Sequence, residues 1–272
     1  MRWVAPPDDL RPWTDGGVVV RAPSALADSC FPAMVGSMLV LRLAGAVHRV
    51  GVGPLPAAAL IGPSTRPSRY LHQGAVHAVG LLIRPEALPL LLGAPGGRLV
   101  NAQLGWADAA GAGWSAQQAA LQVAACAAPD DDARLALLFE GLRQSVAGPA
   151  AGRHGALLQR LVRALQGPLK AACQDLATSP RQLERLCRAQ FGMAPKQFQT
   201  IARLQQALHA AAHTGGADLA LQAGFYDQSH LARDLRRLAG EPLGTLVQQA
   251  RQAGRGGGTA HWPLAVGWQL SG

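Results

Sequence analysis

Leu219-Ala220-Leu221-Gln222-Ala223-Gly224-Phe225-Tyr226-Asp227-Gln228-Ser229-His230-Leu231-Ala232-Arg233-Asp234-Leu235-Arg236-Arg237-Leu238-Ala239-Gly240 is the stretch on which the reading of this chain turns. It reads as a short helix, a turn at Gly224, and a second helix that Asp227 caps. A carboxylate at that place accepts a bond from an otherwise unpaired first-turn amide and suits the positive end of the helix. Leu231, Leu235 and Leu238 recur at helical spacing and form the inward stripe. Gln228, Ser229, His230, Ala232, Arg233, Arg236 and Arg237 are left for other faces. A rigid helix, polar and cationic outside and set by a glycine turn against a partner helix, has the form required to enter a DNA major groove.

The same unit occurs about fifty residues earlier. Leu169 to Leu176 forms a short helix, Ala177-Thr178 the turn, and Ser179-Pro180-Arg181-Gln182 a capping box with proline in the first helical place. In the helix that follows, Leu183, Leu186, Cys187 and Phe191 face inward, while Arg181, Gln182, Glu184, Arg185 and Arg188 face outward. Between the two units Pro195 starts a longer helix, with Phe198, Ile201, Leu204, Leu208 and Ala211 on one side, ending at Gly215-Gly216. Two such units on a stiff strut could place their outer helices in successive major grooves about 34 Å apart.

Charge supports this division. The chain of 272 residues carries a net charge of +9. Residues 1–152 hold 11 basic and 10 acidic side chains, whereas residues 153–254 hold 13 basic and 6 acidic. A cationic second half beside a neutral first half points to a polyanion partner for the second half alone, because Lys and Arg gain affinity by releasing counterions from phosphates.

Residues up to about Ile83 are dense in glycine and proline. Their short apolar runs, Gly17 to Val20, Ser37 to Leu43, Ala46 to Val52, Ala57 to Ile61 and Gly74 to Ile83, read as strands of an antiparallel sheet. Arg84-Pro85-Glu86 starts a helix ending near Gly93, and two longer helices, Ser115 to Ala128 and Asp130 to Val146, close this half. The expected fold is α+β. A β-rich small barrel or sandwich with two helices occupies 1–147 and a linker 148–155. An all-α domain of two helix-turn-helix units follows at 156–253, then a Gly-rich tail at 254–272. Leu157, Leu161 and Leu165 mark the inward face of the first helix after the linker. The four cysteines, Cys30, Cys126, Cys173 and Cys187, lie singly and read as small buried apolar residues of a reducing compartment. Prolines and aspartates in the first ten residues do not suit a secretion signal, and no apolar run is long enough to span a membrane, so a cytoplasmic protein with no membrane partner is expected.

The second unit, in Leu219-Ala220, Gly224-Phe225, Asp227, Ser229-His230, Arg233 and Gly240, resembles the signature of the AraC/XylS family of bacterial transcription regulators. The first unit resembles it in Ser179-Pro180-Arg181, Leu183, Arg185, Gly192, Pro195 and Arg203-Leu204-Gln205-Gln206-Ala207. The likeness covers about Ala156 to Gln249. It implies base contacts at Arg181, Glu184 and Arg185, and at Gln228, Ser229, Ala232 and Arg233. Arg188, Lys196, Arg236 and Arg237 are expected at the DNA backbone, and His230 at a phosphate or in packing. Arg181, Arg185 and Arg233 could each pair bidentately with guanine, Gln228 with adenine, and Glu184 could accept from cytosine or instead hold Arg181 or Arg188. Ala177 departs from the pattern, standing where the family prefers glycine, and a left-handed backbone there would be strained. The front half resembles more weakly, in Ile61-Gly62-Pro63, Arg84-Pro85-Glu86-Ala87 and Leu92-Gly93-Ala94-Pro95, the domain that binds a small effector, dimerises, or does both in the family. Partners so implied are double-stranded promoter DNA, a small-molecule effector, a second copy of the chain, and RNA polymerase if the regulator activates.

Two alternatives stay open at this point. His48, His72 and His77 could hold a metal on the β-rich half, which would make it a metal-dependent enzyme with a DNA-binding module. The front half could also dimerise without any effector, through the Ser115 to Val146 helices. No nucleophile elbow, phosphate loop or paired carboxylates appear, so neither catalytic residues nor a cofactor are expected.

Overall fold

The computed structural model describes residues 2–22, 28–108, 115–147, 149–214 and 237–240. The front half is an antiparallel sheet built of β1 (Arg2–Val4), β2 (Thr14–Ala22), β3 (Asp28–Phe31), β4 (Ser37–Arg49), β5 (Gly53–Pro54), β6 (Ala58–Ile61), β7 (Ser68–Ile83) and β8 (Gln103–Gly105). The short helix α1 (Leu88–Leu92) precedes β8, and α2 (Ser115–Ala127) and α3 (Asp131–Val146) follow it. The second half is helical in its described part: α4 (Pro149–Ala164), α5 (Leu169–Asp175), α6 (Pro180–Phe191) and α7 (Pro195–Thr214). No helix among the described residues is long and apolar enough to cross a membrane.

Strand order is β1-β2-β7-β4-β6-β8, with β3 added to β7 and β5 to β4. The runs Ser37 to Leu43 and Ala46 to Val52, expected as two strands, form one strand as far as Arg49. Gly45, at φ 76, lets the chain bend there, and the register with β7 shifts between Arg42 and Ala46. An alanine at Gly45 would bring its Cβ to 2.6 Å from the Ala75 carbonyl oxygen, so two backbones meet at this bend. The bent strands curl the sheet around an inner cluster that includes Val18, Phe31, Met38, Ile61, Tyr70 and Leu82. The opposite face packs against α1, α2 and α3 through Leu39, Leu81, Leu88, Leu135, Leu138 and Phe139.

Asp130 caps α3, its carboxylate accepting from the Ala133 N–H at 2.8 Å. Asp131 then anchors the helix to the sheet, accepting from Arg21 at 2.7 Å and bonded to His77 at 2.9 Å. Burial raises the Asp131 pKa, but these bonds outweigh it and hold the carboxyl below its ordinary value.

Several expectations need correcting. The helix expected from Arg84 starts only at Leu88, because Arg84 and Glu86 are drawn inward beside Asp15. The glycine-rich stretch taken as a linker is helical from Pro149 onward, with Gly155 packed on Trp13 and Leu90. The inward face of α4 is Leu158, Leu161 and Val162, with buried Leu165 just past its end, and Leu157 is exposed. Cys187 is buried as expected, Cys30 and Cys173 are half-buried, and Cys126 is exposed. The helices around Gly224, the end of the long helix at Gly215-Gly216, and the 254–272 tail lie outside the described residues.

Candidate nucleic-acid interface

Helix α5 ends in a left-handed turn. Ala177 sits at φ 48, its N–H bonding to the Gln174 carbonyl at 3.0 Å, and the Thr178 N–H reaches the Cys173 carbonyl at 2.9 Å. These two bonds close a Schellman motif, satisfying carbonyls the helix end would leave bare. The strain expected for an alanine at this place is therefore present. Ser179 next starts α6 with a full capping box: its hydroxyl accepts from the Gln182 N–H, and the Gln182 side-chain oxygen accepts from the Ser179 N–H at 3.0 Å. Gln182, expected at the DNA, thus has its oxygen engaged in starting the helix.

Leu183, Cys187 and Phe191 are buried at four-residue spacing along α6, and Phe191 meets Phe198 of α7 at 5.1 Å between ring centres. Burial, with a smaller contribution from Glu184, pushes the Cys187 thiol up to about 12, so it acts as core carbon would and not as a nucleophile. With that face buried, Arg181, Gln182, Glu184, Arg185 and Arg188 are all exposed, as is Lys196 in the first turn of α7. The open choice at Glu184 resolves within the helix, since it pairs with Arg188 at 2.9 Å. Arg237 is exposed next to the buried Leu238, matching the stripe read for the second unit. Gln228, Ser229, His230, Ala232, Arg233 and Arg236 lie outside the described residues, so the relation of the two outer helices is not described.

The front half grips this apparatus directly. Gly96 and Gly97, in the 3-10 turn Gly96–Leu99, lie against the end of α6. A Cβ at Gly97 would stand 2.5 Å from the Arg188 carbonyl oxygen and 2.7 Å from that of Ala189. Gly192, left-handed at φ 69, faces Gly97 across the same contact. On the other side, the loop 32–36 between β3 and β4 enters the helical core. Its Ala33 N–H donates to the Leu238 carbonyl, and the Val35 N–H donates to the buried Gln205 side-chain oxygen of α7 at 3.0 Å. Ala33 and Val35 belong to the same apolar cluster as Leu158, Phe191, Phe198 and Leu238. Local periodicity carries no sign of these contacts, which join residues as far apart as Val35 and Gln205.

The histidines do not assemble. His48 is exposed, His72 is bonded to Ser29 at 2.8 Å, and His77 is bonded to Asp131. Because His48 is paired with Leu71, it lies one register step from His72 and on the opposite face of the sheet. Among the described residues, no group of three or more His, Cys, Asp or Glu is placed to hold a metal.

The curled sheet surrounds a cavity whose empty space, counted out through its mouth into open solvent, is about 650 Å3. Val20, Phe31, Met38, Val40, Leu55 and Val76 contribute to its wall, and its polar lining side chains are Ser29, Tyr70 and His72. The sequence offered no signal for it, since the wall is assembled from alternate residues of five strands.

Residues 172–249 match a family of helix-turn-helix domains, a span that includes the second unit. A segment of 129 residues is 30% identical to the HTH-type transcriptional activator RhaR of Klebsiella pneumoniae, over 44% of this chain and 46% of the relative. The match thus spans about half the length of that curated relative. Among solved structures, ToxT from Vibrio cholerae has a similar fold, with a TM-score of 0.51 at 8% identity over 85% of this chain and 97% of ToxT. ToxT bound to (E)-4-(8-methylnaphthalen-1-yl)but-3-enoic acid gives 0.52 at 11% identity, over 86% and 98%. ToxT bound to an unsaturated fatty acid gives 0.50 at 11%, over 85% and 94%. Likeness at this identity is one of fold.

Proposed function

We infer that this chain is a transcription regulator of the AraC/XylS family and binds a specific promoter sequence through α6 and the corresponding segment of the second unit. The family is one of regulators and not of enzymes. One observation carries the reading: on a capped helix whose Leu183, Cys187 and Phe191 are buried, Arg181 and Arg185 stand exposed one turn apart on the opposite side. An arginine so placed reads guanine O6 and N7, discriminating by roughly 1 to 3 kcal/mol. Arg188, tied to Glu184, and Lys196 suit phosphates, which position the protein without reading sequence. In the second unit Gln228, Ser229 and Arg233 take the base-reading part and His230, Arg236 and Arg237 the backbone part.

The front half serves as the sensor. Phe31 and Met38 form part of the cavity wall and flank the loop 32–36 that holds Gln205 and Leu238. A ligand that shifts β3 against β4 therefore acts on both reading units. The hydrocarbon bulk of the ligands named with ToxT, an unsaturated fatty acid and a naphthalenyl butenoic acid, supports a small, mainly hydrocarbon effector here.

Gel-shift competition tests the DNA reading. At fixed salt, the DNA upstream of the chain's own gene should outcompete random DNA of equal length; equal affinity for both would remove the sequence-specific reading.

A further inference from the structure

The cavity also limits the charge of what it can hold. Its wall is almost entirely carbon, and among the described residues no arginine, lysine or carboxylate lines it. The nearby arginines stand outside the wall, although Arg42 and Arg49 each keep one buried Nη1 with no partner among the described residues. Arg42 donates to the carbonyls of Gly45 and Leu55. Arg49 donates to Ser68 at 2.7 Å and lies 5.9 Å from the centre of the Tyr70 ring, and Arg69 holds Asp28. An anion entering this space would leave water without meeting a cation in the wall itself, which is strongly unfavourable. Ser29 and His72 are bonded to each other at 2.8 Å, and the remaining His72 nitrogen, Nδ1, is buried with no partner among the described residues. Burial holds this imidazole below its ordinary pKa, the nearby Asp28 opposing the shift, so the ring is neutral near pH 7. A neutral imidazole nitrogen can bond one hydroxyl or carbonyl but cannot neutralise a carboxylate.

We propose that the cavity takes an uncharged, mainly hydrocarbon ligand bearing at most one hydrogen-bonding group, held at the Ser29–His72 pair. The proposal rests on the sensor reading above and adds the chemical class of the effector.

Matched probes on one skeleton test it: 2-naphthol, methyl 2-naphthoate and 2-naphthoate, titrated into the full chain by calorimetry at pH 7.5. The two neutral probes are expected to bind at least about tenfold tighter than the carboxylate, because the latter must leave water unpaired. Val40→Phe, at a half-buried wall position, should abolish their binding while the fold melts cooperatively. His72→Leu should weaken both neutral probes, whose hydroxyl or carbonyl the ring bonds, leaving a cavity that still binds. A carboxylate that binds as tightly as the neutral probes would overturn the proposal, as would affinity for it that disappears in Arg49→Met, since Arg49 would then be the missing cation. Failure of all three probes to bind would overturn it too. Gel shifts on the ligand-free protein are read separately: loss of sequence preference there defeats the DNA-binding reading and leaves the cavity result standing.

Discussion

Replacing Ala177 with glycine is expected to stabilise the protein, although glycine ordinarily weakens a helical segment. Ala177 occupies the left-handed position after α5 at φ 48, where an L-residue with a Cβ is strained by about 1 to 2 kcal/mol. Glycine removes that strain but adds freedom to the unfolded chain, which costs roughly 0.5 to 1 kcal/mol. The side chain is exposed, so no packing is lost, and both bonds of the turn come from backbone groups that glycine retains. The net gain is about 0.5 to 1 kcal/mol, which raises the melting temperature of a chain this size by about 1 to 3 °C. Urea denaturation should show the midpoint rising with the slope unchanged. Ala156→Gly supplies the control, since Ala156 is exposed within α4 and glycine there should cost about 1 kcal/mol. A midpoint that falls in Ala177→Gly, or that moves with the control, would refute the strain argument. DNA affinity should stay the same, because the cap that orients α6 is untouched.

Three further outcomes are expected. Arg185→Ala should flatten preference at particular base positions by roughly 1 to 3 kcal/mol, whereas Lys196→Ala should weaken all sequences alike and reduce the salt slope by about one; binding-site selection at two salt concentrations separates them. Gly97→Ala would force a Cβ to within 2.5 Å of the Arg188 carbonyl oxygen, at a cost of about 1 to 3 kcal/mol, while Gly152→Ala, with open space around its Cβ, should stabilise α4 by roughly 0.5 to 1 kcal/mol; paired thermal melts decide. Burial, reinforced by Glu86 and opposed by Arg84, raises the Asp15 pKa to about 8. The fold therefore keeps a proton that the unfolded chain releases near its ordinary value of about 4. Stability from this group is complete below that pH and is lost on the way to pH 8, with a slope of up to about 1.4 kcal/mol per unit. Asp15→Asn should remove the slope, and parallel profiles for the two proteins between pH 5 and pH 8 would contradict the assignment.

What the sequence disclosed and what it hid divide by the range of the interactions involved. The start of α6 was legible because Ser179, Pro180 and Gln182 act within one turn, and so was the strain at Ala177, which depends on its place after α5. The inner face of α4 was misread by one position because Leu157 and Leu158 are adjacent and the periodicity admits either; the packed core selects Leu158. Gly45 has the look of a strand end but bends a continuous strand, since its partner β7 is far along the chain. Gly148 to Gly152 carries loop composition, yet Pro149 can start a helix as readily as end a loop, and the packing of Gly155 on Trp13 and Leu90 favours the helix. The Asp15, Arg84 and Glu86 group and the Asp131 anchor are non-local pairings, for which one sequence provides no signal. On α6, periodicity marked Arg181, Arg185 and Arg188 as outward-facing, and they are exposed, while the capping role of Gln182 and the pairing of Glu184 required geometry.

The segment that invites a cut between the two halves is a poor place to make one. Severing the chain near Pro149 would strip Trp13 and Leu90 from α4, and would take Ala33 and Val35 away from Gln205 and Leu238. The freed helical half would expose bare carbon that the intact molecule covers, and would lose the two bonds that Gln205 and Leu238 accept. Affinities measured on such a fragment would describe a damaged surface, so the binding behaviour of this protein has to be studied in the unbroken chain.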